Sequence, residues 1–105
     1  MALILDEKNF QTEVLENPTP VLVDFWSPWC GPCLTMVPLI DELAEELKAQ
    51  FKVGKVNVDE NPELASRYGI MSIPAFKIFK GGKIVKEFVG VQAKETLKGE
   101  LEKCL

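Results

Sequence analysis

The chain has 105 residues, of which 47% are hydrophobic and 27% charged, with a formal net charge of −4 at pH 7. This length predicts one domain, spanning residues 1–105, and the absence of a strongly basic cluster gives no indication of binding to nucleic acid or anionic lipid. The sequence contains no histidine, so histidine bases, ligands and pH switches are excluded. With no signal-peptide pattern and no apolar run near the ~20 residues of a membrane helix, we expect a soluble cytoplasmic protein without membrane contact.

The hydrophobic pattern predicts alternating strands and helices in the order β-α-β-α-β-α-β-β-α. The strands are expected at residues 2–5, 21–26, 51–58, 75–80 and 83–89, and the helices at residues 6–16, 34–51, 62–68 and 92–105. Parallel crossovers come early and an antiparallel hairpin comes late. The sequence therefore predicts an α/β fold with a mixed central sheet and helices on both faces.

Capping and turn residues mark where these elements should begin and end. Asp6 is a candidate cap for the first helix, and Asn61 with Gly69 for the helix at 62–68. Gly81-Gly82 predicts a two-residue hairpin turn. Pro38 lies inside the second helix, where a kink is expected. Inward-facing stripes are predicted at Phe10, Val14 and Leu15, at Val37, Ile40, Leu43, Ala44 and Leu47, and at Leu97, Leu101, Cys104 and Leu105.

The strand at 21–26 is apolar on both alternating faces, which is typical of a strand in the middle of a covered sheet. Asp24 interrupts this pattern. A lone carboxylate is costly to bury without a partner or a function. Asp24 is therefore a candidate functional residue.

Cys30-Gly31-Pro32-Cys33 follows this strand and opens the next helix. Cysteines three residues apart at a helix start face the same way. The first of them lies beside unpaired backbone N–H groups and the positive end of the helix dipole, which favours a thiolate. The pattern predicts a redox site.

The segment Trp-Ser-Pro-Trp-Cys-Gly-Pro-Cys at residues 26–33, after Val-Asp-Phe, resembles the thioredoxin family. Matches at Asp59, at Ile73-Pro74, at Gly82 and at Gly90 extend the resemblance over nearly the whole chain. The resemblance implies the thioredoxin fold and reduction of protein disulfides. Gly-Pro between the cysteines is, by the same resemblance, typical of reductants.

Cys30 is the expected nucleophile, and Cys33, one turn into the helix, is expected to be more buried and to resolve the mixed disulfide. A structural or metal-binding pair is the alternative, but three cysteines and no histidine are too few for a four-ligand site in one chain. Asp24, with a pKa raised by burial, is expected to accept the proton of Cys33 during resolution. Pairing with Lys55 on the adjacent strand is an alternative role, compatible with the first.

Substrate contacts are expected on an apolar rim around the cysteines. Trp29 should form part of this rim, together with Gly31 and Pro32, whereas Trp26 should pack beneath the loop. The family has a cis-proline at the position of Pro74, and the backbone of Ile73 would then be free to pair with an extended substrate segment. Gly90 is expected beside this groove, with an ordinary turn glycine as the alternative.

Three residues depart from the family pattern near the site. Leu34 replaces the usual Lys or Arg after the second cysteine, Ala75 replaces the usual Thr after the proline, and Met71 stands where Arg is frequent in bacterial relatives. These changes concern partner choice rather than chemistry. Cys104 is expected to pack in the core, with a regulatory or dimerising thiol as the alternative.

The resemblance implies no bound cofactor, and electrons that come from NADPH through a separate flavoprotein, thioredoxin reductase. The other expected partners are disulfide-containing proteins, and a monomer is expected. Two further hypotheses remain: an oxidase or isomerase on the same fold, and a binding module that uses Trp29, Ile73 and Pro74. The uncharged Gly31-Pro32 argues against an oxidase, because a basic residue there would stabilise the thiolate of the reduced form.

Overall fold

The computed structural model describes residues 1–105 and contains one five-stranded mixed sheet. The strands are β1 (Leu3–Leu5), β2 (Val21–Trp26), β3 (Lys52–Asn57), β4 (Ala75–Lys80) and β5 (Lys83–Val89). Their order across the sheet is β1-β3-β2-β4-β5; β1 and β2 run parallel to β3, whereas β4 runs antiparallel to β2 and to β5. The predicted mixed sheet is confirmed, with β2 at its centre and the first strand at an edge.

Helices cover both faces of this sheet. They are α1 (Gly31–Leu47), α2 (Pro62–Arg67) and α3 (Lys94–Glu102), preceded by a short π-helical segment, Gln11–Leu15. One core cluster joins Leu22, Phe76 and Ile78 of the sheet to Met36, Ile40 and Leu43 of α1 and to Leu97 and Leu101 of α3. The other joins Val21, Val23, Phe25 and Phe79 to Phe10, Val14 and Leu64. Because side chains alternate along β2, it supplies both cores.

The predicted Asp6 cap is present, but the assigned helical segment starts later than the sequence predicts. The Oδ1 atom of Asp6 accepts hydrogen bonds from the N–H groups of Lys8 and Asn9, at 2.8 and 2.9 Å, which is the pattern of a helix N-cap. The Phe10 N–H donates to the Asp6 carbonyl oxygen at 3.1 Å and closes the first turn. The helical segment begins only at Gln11, and the Glu16 N–H donates to the Gln11 carbonyl oxygen five residues back. Phe10 and Val14 are nevertheless buried, as predicted.

Two other helices are displaced from their predicted bounds. Helix α1 begins at Gly31 rather than residue 34 and ends at Leu47 rather than near Phe51, because residues 48–50 form a turn that brings the Phe51 side chain into the core. Pro38 lies inside α1, as predicted. Helix α3 ends at Glu102, so Leu105 leaves the apolar stripe and is exposed, against the prediction.

The cap of α2 differs from the prediction in its chemistry. Asn61 occupies the capping position but makes no capping hydrogen bond; its Oδ1 atom accepts from the Glu7 N–H at 3.1 Å. The carboxylate of Glu7 instead accepts from the Glu63 N–H at 3.1 Å, so a residue distant in the chain caps this helix. At the other end, Gly69 has a φ of 62°, as expected of a helix-terminating glycine.

Candidate active site

Cys30 and Cys33 form a disulfide at the N-terminus of α1, with Cα atoms 5.2 Å apart. Cys30 is the residue just before the helix, and its Sγ atom accepts a hydrogen bond from the Cys33 N–H at 3.1 Å. Cys33 is buried, whereas Cys30 is half-buried. Only Cys30 is therefore accessible to another protein, and its sulfur lies where the helix dipole favours negative charge.

The local sequence explains this placement. After β2 ends, the Cys30 N–H donates to the Ser27 carbonyl oxygen at 3.2 Å, which closes a turn and directs the chain into α1. Pro32 occupies the first turn of α1, where no backbone N–H is needed for the helix. Gly31 and Pro32 are both exposed between the two cysteines.

The loop before β4 approaches the disulfide from the other side. The carbonyl oxygen of Ile73 lies 3.7 Å from Cys30 Sγ, and the Ile73–Pro74 peptide bond is cis. Pro74 is buried, and its carbonyl oxygen accepts from the Gly90 N–H at 2.7 Å. Gly90 has a φ of 90°, and no atom of the chain lies within 4 Å of where a Cβ would project. Its backbone conformation, rather than crowding within the chain, therefore requires glycine.

Asp24 lies on β2, on the face that packs against α1 and α3, since it alternates with Leu22 of that core. The residue is 3% exposed, and its Oδ1 atom has no hydrogen-bond partner. Burial raises the pKa of Asp24 to about 7, although the positive charge of Lys55 acts in the opposite direction. A carboxyl group with this pKa can exchange a proton near neutral pH.

Lys55 does not form the direct pair with Asp24 that the sequence suggested. The two residues are partners in the register of β2 and β3, so their side chains lie on the same face. However, no salt bridge joins them, and Asp24 Oδ1 has no partner; the Lys55 ammonium lies over the ring of the half-buried Trp26, 5.1 Å from its centroid. Lys55 and Trp26 border a cavity of about 360 Å³. Lys55 therefore acts on Asp24 through its charge alone.

Large apolar side chains are exposed next to the site residues. Trp29 is 87% exposed and Met71 is 95% exposed, and Leu34 is exposed directly after Cys33. The sequence interpretation missed Val89 and Val91, which flank Gly90 and are also exposed. Ala75, in contrast, is buried. Cys104 is half-buried and packs against the core, as predicted.

One polar connection at the site was also missed. The Ser27 hydroxyl donates to the carboxylate of Asp59 at 2.8 Å and accepts from the Trp29 N–H at 3.2 Å. A serine between a buried strand and an exposed tryptophan is the one signal in the sequence that indicates such a bridge, but it does not identify the partner across 32 residues.

The remaining features concern membranes and metals. None of the helices combines the length and apolar character that crossing a membrane requires. No three or more residues among His, Cys, Asp and Glu are grouped as metal ligands.

A disulfide between cysteines three residues apart at a helix N-terminus, with one sulfur open to a partner and the other shielded, is the arrangement of a thiol–disulfide oxidoreductase. Comparison with known proteins gives the family. The thioredoxin family profile matches residues 1–103. The chain is 54% identical to thioredoxin 1 of Nostoc sp. over 99 residues, which cover 94% of this chain and 92% of that protein.

Two further relatives agree. The chain is 51% identical to thioredoxin 1 of Synechococcus elongatus over 105 residues, which cover 100% of this chain and 98% of that protein. It is 48% identical to a thioredoxin of Alicyclobacillus acidocaldarius over 103 residues, which cover 98% of this chain and 97% of that protein. The chain belongs to the thioredoxin family and is a protein-disulfide oxidoreductase. Membership implies a reductase and disulfide-bearing substrates as its partners.

Proposed function

We propose that Cys30 attacks the disulfides of protein substrates and that Cys33 resolves the resulting mixed disulfide. The observation that carries this assignment is the difference in accessibility: Cys30 is half-buried at the surface, whereas Cys33 is buried in the first turn of α1. A thiolate must reach a substrate sulfur to attack it. Only Cys30 meets this requirement.

The reaction then proceeds in two exchanges. In the dithiol form, the Cys30 thiolate attacks one sulfur of the substrate disulfide, and the other substrate sulfur leaves as a thiolate that takes up a proton. Cys33 next loses its proton and attacks Cys30 Sγ. This closes the Cys30–Cys33 disulfide and releases the second substrate thiol, so that two electrons pass to the substrate.

The hydrogen bond from the Cys33 N–H to Cys30 Sγ supports this order of events. A backbone donor and the helix N-terminus both stabilise negative charge on Cys30. Cys33 has no such environment, because it lies inside the helix and is buried. It therefore needs a base to become a nucleophile.

Asp24 is our candidate for that base, and we propose that Lys55 adjusts its pKa. Asp24 is buried on the face of the sheet beneath α1, its Oδ1 atom is unpartnered, and its pKa is raised to about 7 by burial. It can therefore take a proton and return it near neutral pH. The charge of Lys55 lowers the pKa of Asp24 and keeps it from rising further.

Substrates are proposed to bind on Trp29, Gly31, Pro32, Ile73, Pro74 and Gly90. The backbone N–H and carbonyl groups of Ile73 form no backbone hydrogen bond within the chain, and the carbonyl lies 3.7 Å from Cys30 Sγ. An extended segment of the substrate can pair with them as an added strand. Leu34 and Met71 are exposed, and they make this surface more apolar than it would be with the basic residues that are common in the family at these positions. We therefore expect it to favour substrates with apolar residues beside the disulfide.

We further propose that the chain acts as one domain and as a monomer, in the cytoplasm. Its disulfide is then reduced by a separate flavoprotein, thioredoxin reductase, with electrons from NADPH. The sequence carries no glycine-rich fingerprint for dinucleotide binding, which supports a separate donor. The function we propose needs no bound cofactor, nucleic acid or membrane.

A trapping experiment tests the assignment of the two cysteines. In a Cys104→Ser background, which removes the third thiol, we expect Cys33→Ser to accumulate a mixed disulfide with insulin, detected on a non-reducing gel. Cys30→Ser should form none. Equal trapping by both variants, or trapping by Cys30→Ser alone, would contradict the assignment.

The reduction potential tests the direction of the reaction. Equilibration in thiol and disulfide buffers, followed by tryptophan fluorescence, should give a value of roughly −250 mV or lower. A value of roughly −180 to −120 mV would indicate an oxidase or isomerase. If a Cys30→Ser/Cys33→Ser double variant, which cannot exchange disulfides, still had the effect in cells that the wild-type protein has, the result would instead favour a binding module.

A further inference from the structure

The Ser27 side chain bridges two loops that meet at the active site. It is buried, with 4% exposure; its hydroxyl donates to Asp59 Oδ2 at 2.8 Å and accepts from the Trp29 N–H at 3.2 Å. A serine hydroxyl has a single hydrogen and two lone pairs. Because the hydrogen of the Ser27 hydroxyl points at Asp59, a lone pair of its oxygen is turned toward the backbone N–H of Trp29.

The acceptor side of this bridge is held firmly. The Asp59 N–H donates to Asn57 Oδ1 at 2.9 Å, and the carbonyl oxygen of Asn57 accepts from the backbone and side-chain N–H groups of Asn61, both at 3.0 Å. The Val58 N–H donates to the Trp26 carbonyl oxygen at 2.9 Å and continues the pairing of the two strands. Asp59 thus presents its carboxylate from a turn fixed to the end of β3.

Trp29 depends on this bridge because little else holds it. Its side chain is 87% exposed, and the bond from its backbone N–H to Ser27 Oγ is the one hydrogen bond that Trp29 makes in the chain. Cys30, by contrast, donates to the Ser27 carbonyl oxygen, a bond that does not involve the serine side chain. Loss of the hydroxyl therefore acts on Trp29 and spares the hydrogen bond of the Cys30 amide.

We propose that Ser27 and Asp59 are positioning residues that hold the backbone of Trp29 and so place its side chain where it meets a substrate. This inference rests on the docking role proposed above for Trp29. Neither residue needs to touch the substrate or the sulfurs, so the effect is on recognition rather than on the exchange itself.

Steady-state reduction of insulin, with dithiothreitol as the electron donor, tests the proposal. Ser27→Ala and Asp59→Ala should each raise the KM for insulin about three- to tenfold, the effect of losing one modest hydrogen bond, with kcat changed less than about twofold. The double variant should be no worse than either single variant. Ser27→Thr keeps the hydroxyl and should restore the KM, and Ser66→Ala, at an exposed site on α2, is the matched control.

The motion of Trp29 gives a second readout that does not depend on docking. In a Trp26→Phe background, the fluorescence anisotropy of Trp29 should decay faster in Ser27→Ala and Asp59→Ala but not in Ser27→Thr. If anisotropy and KM stay unchanged while only the free energy of unfolding falls, the bridge is merely structural and the proposal is wrong.

A Trp29→Ala variant separates failure of the bridge from failure of the docking role. If this variant leaves the KM unchanged, the docking role of Trp29 is wrong, and the effect proposed here on recognition is wrong with it. A raised KM in Trp29→Ala together with a normal KM in Ser27→Ala would overturn the bridge alone.

Discussion

Asp24 is the residue at which stability of the fold and the chemistry we propose compete most directly. A buried carboxyl without a hydrogen bond to Oδ1 is an unfavourable element in a sheet. The folded chain accommodates it by favouring the protonated form, because burial raises the pKa from 3.8 to about 7. The same burial that weakens the fold at high pH produces a proton acceptor suited to neutral pH.

Substitution of this residue should change how stability depends on pH. The folded pKa of Asp24 is higher than the unfolded one, so its contribution is fully present below about pH 4 and is lost as the pH rises through about 7. The free energy of unfolding of Asp24→Asn should therefore be close to that of the wild type at pH 4. Above pH 8 it should be higher than that of the wild type by up to about 4 kcal/mol. Urea unfolding of the oxidised protein across this range measures the difference.

Glu95→Gln is the matched control for that experiment, because Glu95 is exposed on α3. It removes a carboxylate without changing a buried site, so its difference from the wild type should stay nearly constant with pH. If the difference in free energy of unfolding between Asp24→Asn and the wild type also stayed constant with pH, the raised pKa of Asp24 would be contradicted.

At the scale of elements, the turn between β4 and β5 shows how the sequence fixes a connection. Gly81 and Gly82 have φ values of 60° and 79°, and two positive φ values are what a tight hairpin turn requires. Both strands have the bounds predicted from the sequence, Ala75–Lys80 and Lys83–Val89. This confirmation follows from the local nature of the signal: alternation and turn residues lie next to each other in the chain.

The two glycines should nevertheless differ in their tolerance of alanine. A Cβ at Gly82 would lie 2.9 Å from the Leu15 carbonyl oxygen, whereas one at Gly81 would meet nothing within 4 Å. Gly81→Ala should cost about 1 kcal/mol for the left-handed conformation alone. Gly82→Ala should cost roughly 2–4 kcal/mol, because crowding against the backbone is added.

Chemical denaturation of the two variants measures this difference directly, with Gly81→Ala as the internal control. If both variants lost the same free energy of unfolding, the short distance between Gly82 and the Leu15 carbonyl oxygen would be shown not to affect stability.

At the scale of the whole molecule, β2 is where stability and function coincide. It pairs with β3 on one side and with β4 on the other, and it contributes to both core clusters. The loop with the two cysteines begins where this strand ends. The loop with the cysteines is therefore anchored to a strand that is paired on both sides and packed on both faces.

Native-state hydrogen exchange should reveal this hierarchy. We expect the slowest amides in β2, with exchange free energies equal to that of global unfolding, because opening β2 disrupts two strand pairings and two cores. Amides of β1, a three-residue strand at the edge, should exchange through local opening with a smaller free energy. Equal exchange free energies in β1 and β2 would contradict the expectation that the edge strand opens more easily than the central strand.

Interactions between residues distant in the chain explain two errors of the sequence interpretation. Asn61 looks like a helix cap in isolation, but its side chain is used by Glu7, 54 residues away. Lys55 looks like the partner of Asp24, yet its ammonium lies over Trp26 instead. In each case the residue has several favourable partners, and only the packed structure selects among them.

The sequence by itself determined the order of strands and helices, the redox site at Cys30 and Cys33, and the exceptional position of Asp24. These features depend on residues close together in the chain, where periodicity and spacing are direct physical constraints. The tertiary structure alone decided how close Ile73 comes to the Cys30 sulfur, and that Ser27 joins Asp59 to Trp29. Those properties arise where distant segments meet, because burial and hydrogen-bond geometry exist only once the chain has packed.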